Sequence, residues 1–282
     1  MSNEPKQIHS ADQPAADDNK SELPDAASFL DGLRLDHGPV PLLARFLLRA
    51  DAYLRQQDIH LGFGSIATIA ELNEEHFANW GRFAPQLDIR IATLTDADSY
   101  CLIGRNAQGD IVATQAGRIY DIGERSLQDI ADDRSLYYGA NPPPSDGLTC
   151  SISAPSARHI KGRFVYSGAL WVRPDYRGLR LAALLPRMSR AYALGRWNTM
   201  YTFAFIGAAM ASSPLLAMYG YRKVEPTYTF FENGTQIYTG SLMWMDAEEL
   251  AQDLEAFIST GFEELDRSVG LGGGKNKNPA VR

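Results

Sequence analysis

The chain has 282 residues, a net charge of −7 and 45% hydrophobic residues, which is enough apolar material to build a sizeable core. The acidic balance argues against a general nucleic-acid binder, and we expect no nucleic-acid partner. The most apolar run near the N-terminus, residues 41–54, is interrupted by charges and falls short of the ~20 residues that a membrane span requires. We therefore expect no transmembrane segment.

The two cysteines, Cys101 and Cys150, are expected to be buried free thiols rather than a disulfide. The N-terminus carries no apolar signal core, which favours a cytoplasmic protein in a reducing compartment. We expect no metal cofactor.

Residues 1–25 are polar, with almost no large apolar residue, and are predicted to form a disordered tail. Residues 26–57 are interpreted as an N-terminal helical extension. After Pro41, apolar residues recur at helical spacing and predict an amphipathic helix, namely Leu43, Phe46, Leu47, Ala50 and Leu54. This stripe is interpreted as core, and a role as a homodimer or partner face is left open.

A short strand is predicted over residues 59–63, followed after Ser65 by a helix. Two apolar β runs, 99–104 and 110–120, are joined by a loop that contains glycine, and this pattern predicts a β-hairpin. Residues 123–162 are interpreted as an insertion, because a long connection inside a compact domain is often a lid or a binding loop.

Residues 164–172 predict a central strand, in which Gly168 indicates a bulge or a close backbone approach. The strand ends at Pro174. A helix is predicted from about 178 to 197, and Pro186 inside it predicts a kink.

A further apolar strand is predicted over residues 199–206. Residues 212–214, Ser-Ser-Pro, are typical of a helix start, and this short helix should end at Gly220. Strands over 227–231 and 236–245 flank the sequence Glu-Asn-Gly-Thr, which predicts a second hairpin.

Asp246 and Glu249 have the spacing of a capping box and predict the start of a final helix. We expect this C-terminal helix to lie within residues 246–269. Residues 270–282 are predicted to be a flexible tail.

The turn between the central strand and the helix that follows it carries the strongest functional signal. Gly178 frees the backbone there, and the first turn of a helix leaves about four N–H groups without partners on its positive end. Residues 158–197 hold nine Lys or Arg and one acid. Such a concentration predicts a polyanionic ligand, although solvated side chains and structural ion pairs are the alternative explanation.

Two motifs in this order resemble the GNAT superfamily of N-acyltransferases. Val172-Arg-Pro-Asp-Tyr-Arg-Gly178 is similar to the family's cofactor-binding segment, and Tyr219-Gly-Tyr-Arg-Lys-Val224 resembles its turn into the next strand. The resemblance covers residues 58–245 as one acyltransferase domain. It implies an α+β (α/β mixed) fold, a GNAT-like splayed mixed β-sheet flanked by helices, to which this chain adds an N-terminal and a C-terminal helix.

The resemblance also implies an activity, the transfer of an acyl group from acetyl-CoA or another acyl-CoA to an amine. The acyl-CoA would lie in the splay, with its pyrophosphate on the turn before the helix and its pantetheine arm along the strand. The residues that would bind it are Trp171, Val172, Arg173, Arg177, Gly178, Leu179, Arg180, Leu181 and Ala182.

Three departures from the family pattern bear on the chemistry. Arg180 replaces the middle glycine of the cofactor-binding segment, and Leu216 occupies the place where the family often has a tyrosine acting as general acid. The nearest substitutes for that tyrosine are Tyr219, Ser212 and Ser213, of which we take Tyr219 and Ser213 as catalytic candidates.

The third departure is the lack of an acidic residue between positions 162 and 171, so the strand offers no obvious general base. His159 and Glu232 are the other conceivable bases. Two further functions stay open: an acyltransferase that takes a long acyl chain from acyl carrier protein, and a non-catalytic protein that binds acyl-CoA.

Overall fold

The computed structural model describes residues 28–143, 147–213 and 215–272. The predicted tail 1–25, most of the predicted tail 270–282 and Pro214 lie outside the described residues. Within the described part, one mixed sheet is flanked by helices on both faces. The predicted α+β fold class is therefore confirmed.

The sheet has eight strands in the spatial order β1-β2-β3-β5-β6-β8-β7-β4. All neighbouring strands run antiparallel except β5 and β6, which are parallel. The strands are β1 (His60–Gly64), β2 (Ser99–Arg105), β3 (Ile111–Ser126), β4 (Leu148–Ile152), β5 (Lys161–Val172), β6 (Tyr201–Gly207), β7 (Lys223–Glu232) and β8 (Thr235–Asp246).

The helices lie in two layers. One layer holds α1, α6, α9 and α10, and the other holds α2 to α5. Their bounds are α1 (Val40–Gln56), α2 (Ile66–Glu75), α3 (Phe77–Trp80), α4 (Leu127–Asp132), α5 (Ser135–Tyr138), α6 (Leu181–Trp197), α7 (Ala208–Ala211), α8 (Leu215–Met218), α9 (Ala247–Ala256) and α10 (Phe262–Gly272). No helix of the described residues is long and apolar enough to cross a membrane.

Strands β5 and β6 separate after a short contact. Phe164, Val165 and Tyr166 pair with Tyr201, Thr202 and Phe203, while β5 continues to Val172 and β6 to Gly207. The two parallel strands thus diverge, and the sheet is splayed as the resemblance implied.

A bulge in β5 lies where the strands part. Ala116 pairs with Gly168 and Thr114 pairs with Trp171, so two residues of β5 stand opposite the single residue between them on β3. Ala169 takes a positive φ of 54° at this point, and a Cβ on Gly168 would lie 2.6 Å from the Tyr166 ring. The predicted bulge at Gly168 is therefore confirmed, while the close neighbour of Gly168 is a side chain and not the backbone that was the alternative prediction.

Several local predictions are confirmed. The two hairpins form, and the side chain of Asp246 accepts from the N–H of Glu249 while the Glu249 carboxylate accepts from the N–H of Asp246. Cys101 and Cys150 are free and buried, and burial raises the pKa of both thiols. The stripe of α1, from Leu43 to Leu54, faces the core.

Other boundaries differ from the predictions. Helix α6 begins at Leu181 rather than 178, because positive φ values at Gly178 and Arg180 keep the turn out of the helix. Strand β3 runs on to Ser126, into the segment interpreted as an insertion, which also forms α4, α5 and β4. At the C-terminus, a π-helical turn over Phe257–Gly261 joins two helices where one was predicted.

Pro186 lies within α6 as its sixth residue, and the helix continues through it to Trp197. Proline has no N–H to donate to the carbonyl of Ala182. The predicted kink at this position stays a prediction.

Candidate functional site

The turn from β5 into α6 forms a cradle of backbone N–H groups. After the 3₁₀ turn Pro174–Tyr176, Gly178 has φ 106° and Arg180 has φ 52°. Among the described residues, the N–H groups of Gly178, Arg180, Leu181 and Ala182 have no hydrogen-bond acceptor. These donors lie at the positive end of a 17-residue helix, an arrangement that favours an anion.

Two exposed arginines flank the cradle. The guanidinium of Arg177 donates only a long bond, 3.4 Å from Nε to the carbonyl of Val172. The Arg180 side chain makes no hydrogen bond or ion pair with any part of the chain that the structure describes. Tyr53 of α1 supports the same turn, with its hydroxyl 3.4 Å from the Leu179 carbonyl. Arg177 and Arg180 are therefore available to an anionic ligand.

The other arginines of the basic segment are engaged elsewhere. Arg173 forms ion pairs with Asp175 (Nε to Oδ1, 2.8 Å) and Asp110 (Nη1 to Oδ2, 3.3 Å). Arg187 and Arg190 are buried, and Arg187 is paired with Asp253. The basic segment is thus divided between the cradle and structural ion pairs.

A cavity of about 750 Å³, here called the cradle cavity, opens beside this turn. Its lining includes Arg177, Gly178, Arg180 and Ala182 at one end and Leu170, Trp171 and Val172 of β5 along its length. The Trp171 ring stacks with His76 (ring centroids 4.7 Å apart) and with Trp80 (5.5 Å). The aromatic stack closes the cavity on the α3 side.

A second cavity of about 230 Å³, here called the splay cavity, fills the gap between the diverging strands. It is lined by Ser167 to Leu170 of β5 and Ala204 to Gly207 of β6. The two cavities share Trp80, Leu170, Met210 and Tyr219. A ligand held on the cradle can therefore extend along β5 into the splay.

Of the two catalytic candidates, Tyr219 lies at the junction of both cavities. Burial raises the pKa of its phenol, so the hydroxyl keeps its proton at neutral pH and is a hydrogen-bond donor. Ser213 lines neither cavity, and its Oγ accepts from the N–H of Leu215 (3.2 Å) at the start of α8. Tyr219 therefore lies in the site, whereas Ser213 lies outside both cavities beside the first residue of α8.

The two conceivable bases are poorly placed. Glu232 forms a bidentate pair with Arg82 (2.7 and 3.2 Å), and the hydrogen bonds from Arg82 lower the pKa of that carboxyl. His159 is exposed after the turn Pro155–Arg158 and lines neither cavity. Neither residue is arranged to take a proton in the splay.

Sequence reasoning missed Gln115 of β3 and Trp80 of α3, which line the splay cavity. Gln115 is 1% exposed although it is polar. A glutamine in the mainly apolar run 111–117 of β3 was the one available signal. Its place beside the splay depends on the pairing of β3 with β5, which is a long-range contact.

No family model and no curated protein matches this sequence. Several solved structures are similar in fold. Mutant forms of the spermidine/spermine N-acetyltransferase SpeG from Vibrio cholerae are 8% identical, with a TM-score of 0.40, over 70% of this chain and 98% of that chain. Mycobacterium smegmatis RimJ in complex with CoA-disulfide is 11% identical, with a TM-score of 0.41, over 72% and 89% of the two chains.

Arabidopsis thaliana NAA60 in complex with acetyl-CoA is 13% identical, with a TM-score of 0.41, over 67% of this chain and 98% of that chain. Similarity of this degree says nothing about substrate or activity, which have to be inferred from the residues of this chain. The mixed sheet with one splayed parallel pair is the architecture that the sequence motifs predicted.

Proposed function

We propose that this protein is an N-acyltransferase that moves an acyl group, an acetyl group in the first instance, from acyl-CoA to an amine. The observation that supports this proposal is the continuity of the site. Free amide donors at the start of α6 open into the cradle cavity, which leads along β5 to Tyr219 and the splay cavity.

The cradle fits the pyrophosphate of the co-substrate. Four N–H groups without acceptors at a helix N-terminus are suited to phosphate oxygens, and Arg177 and Arg180 add charge-assisted hydrogen bonds from either side. Among the described residues, the edge of β5 at Trp171 and Val172 has no strand partner on the β6 side. In this proposal, that free edge pairs with the amide groups of the pantetheine arm.

In this proposal, Tyr219 is the general acid that protonates the leaving group. An amine that attacks the thioester carbonyl forms a C–N bond, and the C–S bond breaks to release coenzyme A as a thiolate. The protonated Tyr219 phenol at the junction of the cavities donates a proton to that sulfur. The attacking amine loses its proton to water, since a thioester is already activated and positioning supplies much of the rate.

Calorimetric titration with free CoA, acetyl-CoA, octanoyl-CoA and palmitoyl-CoA tests the proposal. Micromolar binding of CoA, with an affinity that depends on the acyl group, is expected, and release of free thiol on adding an amine panel would identify the reaction. Lack of CoA binding would contradict it and favour acyl carrier protein as donor. Binding without thiol release with any amine would favour a non-catalytic acyl-CoA protein.

A further inference from the structure

The splay cavity has one buried hydrogen-bond acceptor without a donor. Gln115 lines the cavity and is 1% exposed. Among the described residues, nothing donates to its Oε1. Buried polar side-chain atoms usually have a partner, so we expect a donor beyond the described residues, from a bound water or from a ligand group that displaces it.

The orientation of the Gln115 amide is fixed by its nitrogen. Nε2 donates to the Oγ of Ser167 (3.0 Å) and more weakly to the carbonyl of Ala116 (3.4 Å). The Ser167 hydroxyl lies 3.4 Å from that of Ser189 on α6, which is 2.6 Å from the Tyr100 hydroxyl. This chain of hydrogen bonds holds Nε2 toward the serines and leaves Oε1 to accept.

The surroundings of Gln115 favour an uncharged donor. Apolar side chains of Ala204, Ile206 and Met243 line the same cavity, and the described residues of its lining include no carboxylate. Arg82, the one charged residue in that lining, has a side chain that is 44% exposed. An ammonium group would have no counter-charge beside Gln115, so burying it there would be costly, whereas a hydroxyl group needs only one acceptor.

This inference rests on the proposed function, in which the acyl group occupies the end of the site farthest from the cradle. We propose that Gln115 determines acyl specificity, and that its Oε1 accepts a hydrogen bond from a hydroxyl carried by the transferred acyl group. The substrate class is then short hydroxyacyl-CoA, with a chain short enough for a cavity of about 230 Å³.

The test is calorimetric binding of CoA, butyryl-CoA and 3-hydroxybutyryl-CoA to the full-length protein and two variants. The wild type should bind the hydroxylated ligand about tenfold more tightly than butyryl-CoA. Gln115→Met, of similar size but with no acceptor oxygen, should lose this preference while binding CoA as the wild type does. Tyr120→Phe, which removes a buried hydroxyl that donates to the Leu136 carbonyl away from both cavities, should keep it.

Equal affinity of the wild type for the two acyl ligands, with normal CoA binding, would overturn this inference and leave the proposed function intact. A preference that survives in Gln115→Met would overturn it as well. Loss of CoA binding in the wild type would instead contradict the proposed function, and with it the inference. The wild-type comparison can overturn the inference even if a variant fails to fold.

Discussion

At the scale of single residues, the cradle depends on a residue in an unfavourable conformation. Arg180 has φ 52° and ψ 30° as the N-cap of α6, a left-handed conformation that costs most residues roughly 1–2 kcal/mol. Glycine would relieve that cost. The retained arginine is explained if its guanidinium, which is free of partners in the described residues, contributes to ligand binding.

Replacing Arg180 separates the effect of its left-handed backbone conformation from the contribution of its guanidinium to ligand binding. Arg180→Ala and Arg180→Gly both remove the guanidinium, and we expect each to weaken CoA binding by about tenfold, as the loss of a charge-assisted hydrogen bond does. Calorimetry with CoA measures the affinity, and thermal unfolding measures the relief of strain in the glycine variant. Higher turnover in Arg180→Gly than in the wild type would instead indicate that the natural arginine obstructs the co-substrate.

The proposed role of Tyr219 as proton donor can be tested directly by mutation. Tyr219→Phe keeps the aromatic lining and removes the donor to the leaving sulfur, so kcat should fall by about 100-fold with little change in CoA affinity. Stopped or continuous assay of free thiol checks this. Tyr120→Phe is the matched control, because the Tyr120 hydroxyl donates to the Leu136 carbonyl away from both cavities and its loss should leave kcat unchanged.

At the scale of elements, a buried ion pair holds the segment that carries Tyr219. Arg187 of α6 donates to Asp253 of α9 (2.8 and 2.9 Å) and to the carbonyl of Met218 (2.6 Å), while Arg190 donates to the carbonyl of Tyr219 (2.6 Å). Helix α9 is therefore linked to the site through α6, although none of its residues lines the two cavities.

Asp253→Asn should destabilise the fold and displace Tyr219. Removing one partner of a buried ion pair leaves an uncompensated charge and costs about 3 kcal/mol, since the side chains of Arg187 and Asp253 are only 8% and 12% exposed. Denaturant unfolding measures the loss. Asp121→Asn breaks the exposed pair with Arg163 and should cost about 1 kcal/mol or less; equal losses in the two variants would contradict this account.

At the scale of the whole molecule, buried tyrosines make the free energy of unfolding depend on pH in the alkaline range. Burial raises the pKa of Tyr53 and of Tyr120 to about 12, against about 10 in an unfolded chain. The folded state then holds protons that the unfolded state has lost between these values. Stability is complete below about pH 10 and decreases as the pH rises toward about 12.

Denaturant unfolding at about pH 8 and about pH 11 should therefore show a lower free energy of unfolding at the higher pH. Tyr120→Phe removes one of the ionising groups, so its deficit relative to the wild type should shrink as the pH rises. A deficit that stays constant across this range would show that the Tyr120 phenol does not titrate between the folded and unfolded states.

Local features of this protein follow from its sequence because each depends on a few neighbouring residues. The Asn-Gly turn fixes the hairpin of β7 and β8, and Asp246 with Glu249 fixes the start of α9. Gly178 after a proline turn likewise predicted a cradle of unpaired N–H groups before α6. These features need only turn and capping chemistry, so the sequence alone determined them.

Tertiary structure decided where the sheet splays and which side chains are buried. The parting of β5 and β6 depends on where pairing between strands about 35 residues apart stops, and no local pattern reports that point. The same long-range packing buries Arg187 and Arg190 while leaving Arg180 exposed, although all three look alike in the sequence. It also brings Gln115 beside the splay, because contacts of this kind are made by the assembled sheet and not by any one segment of the chain.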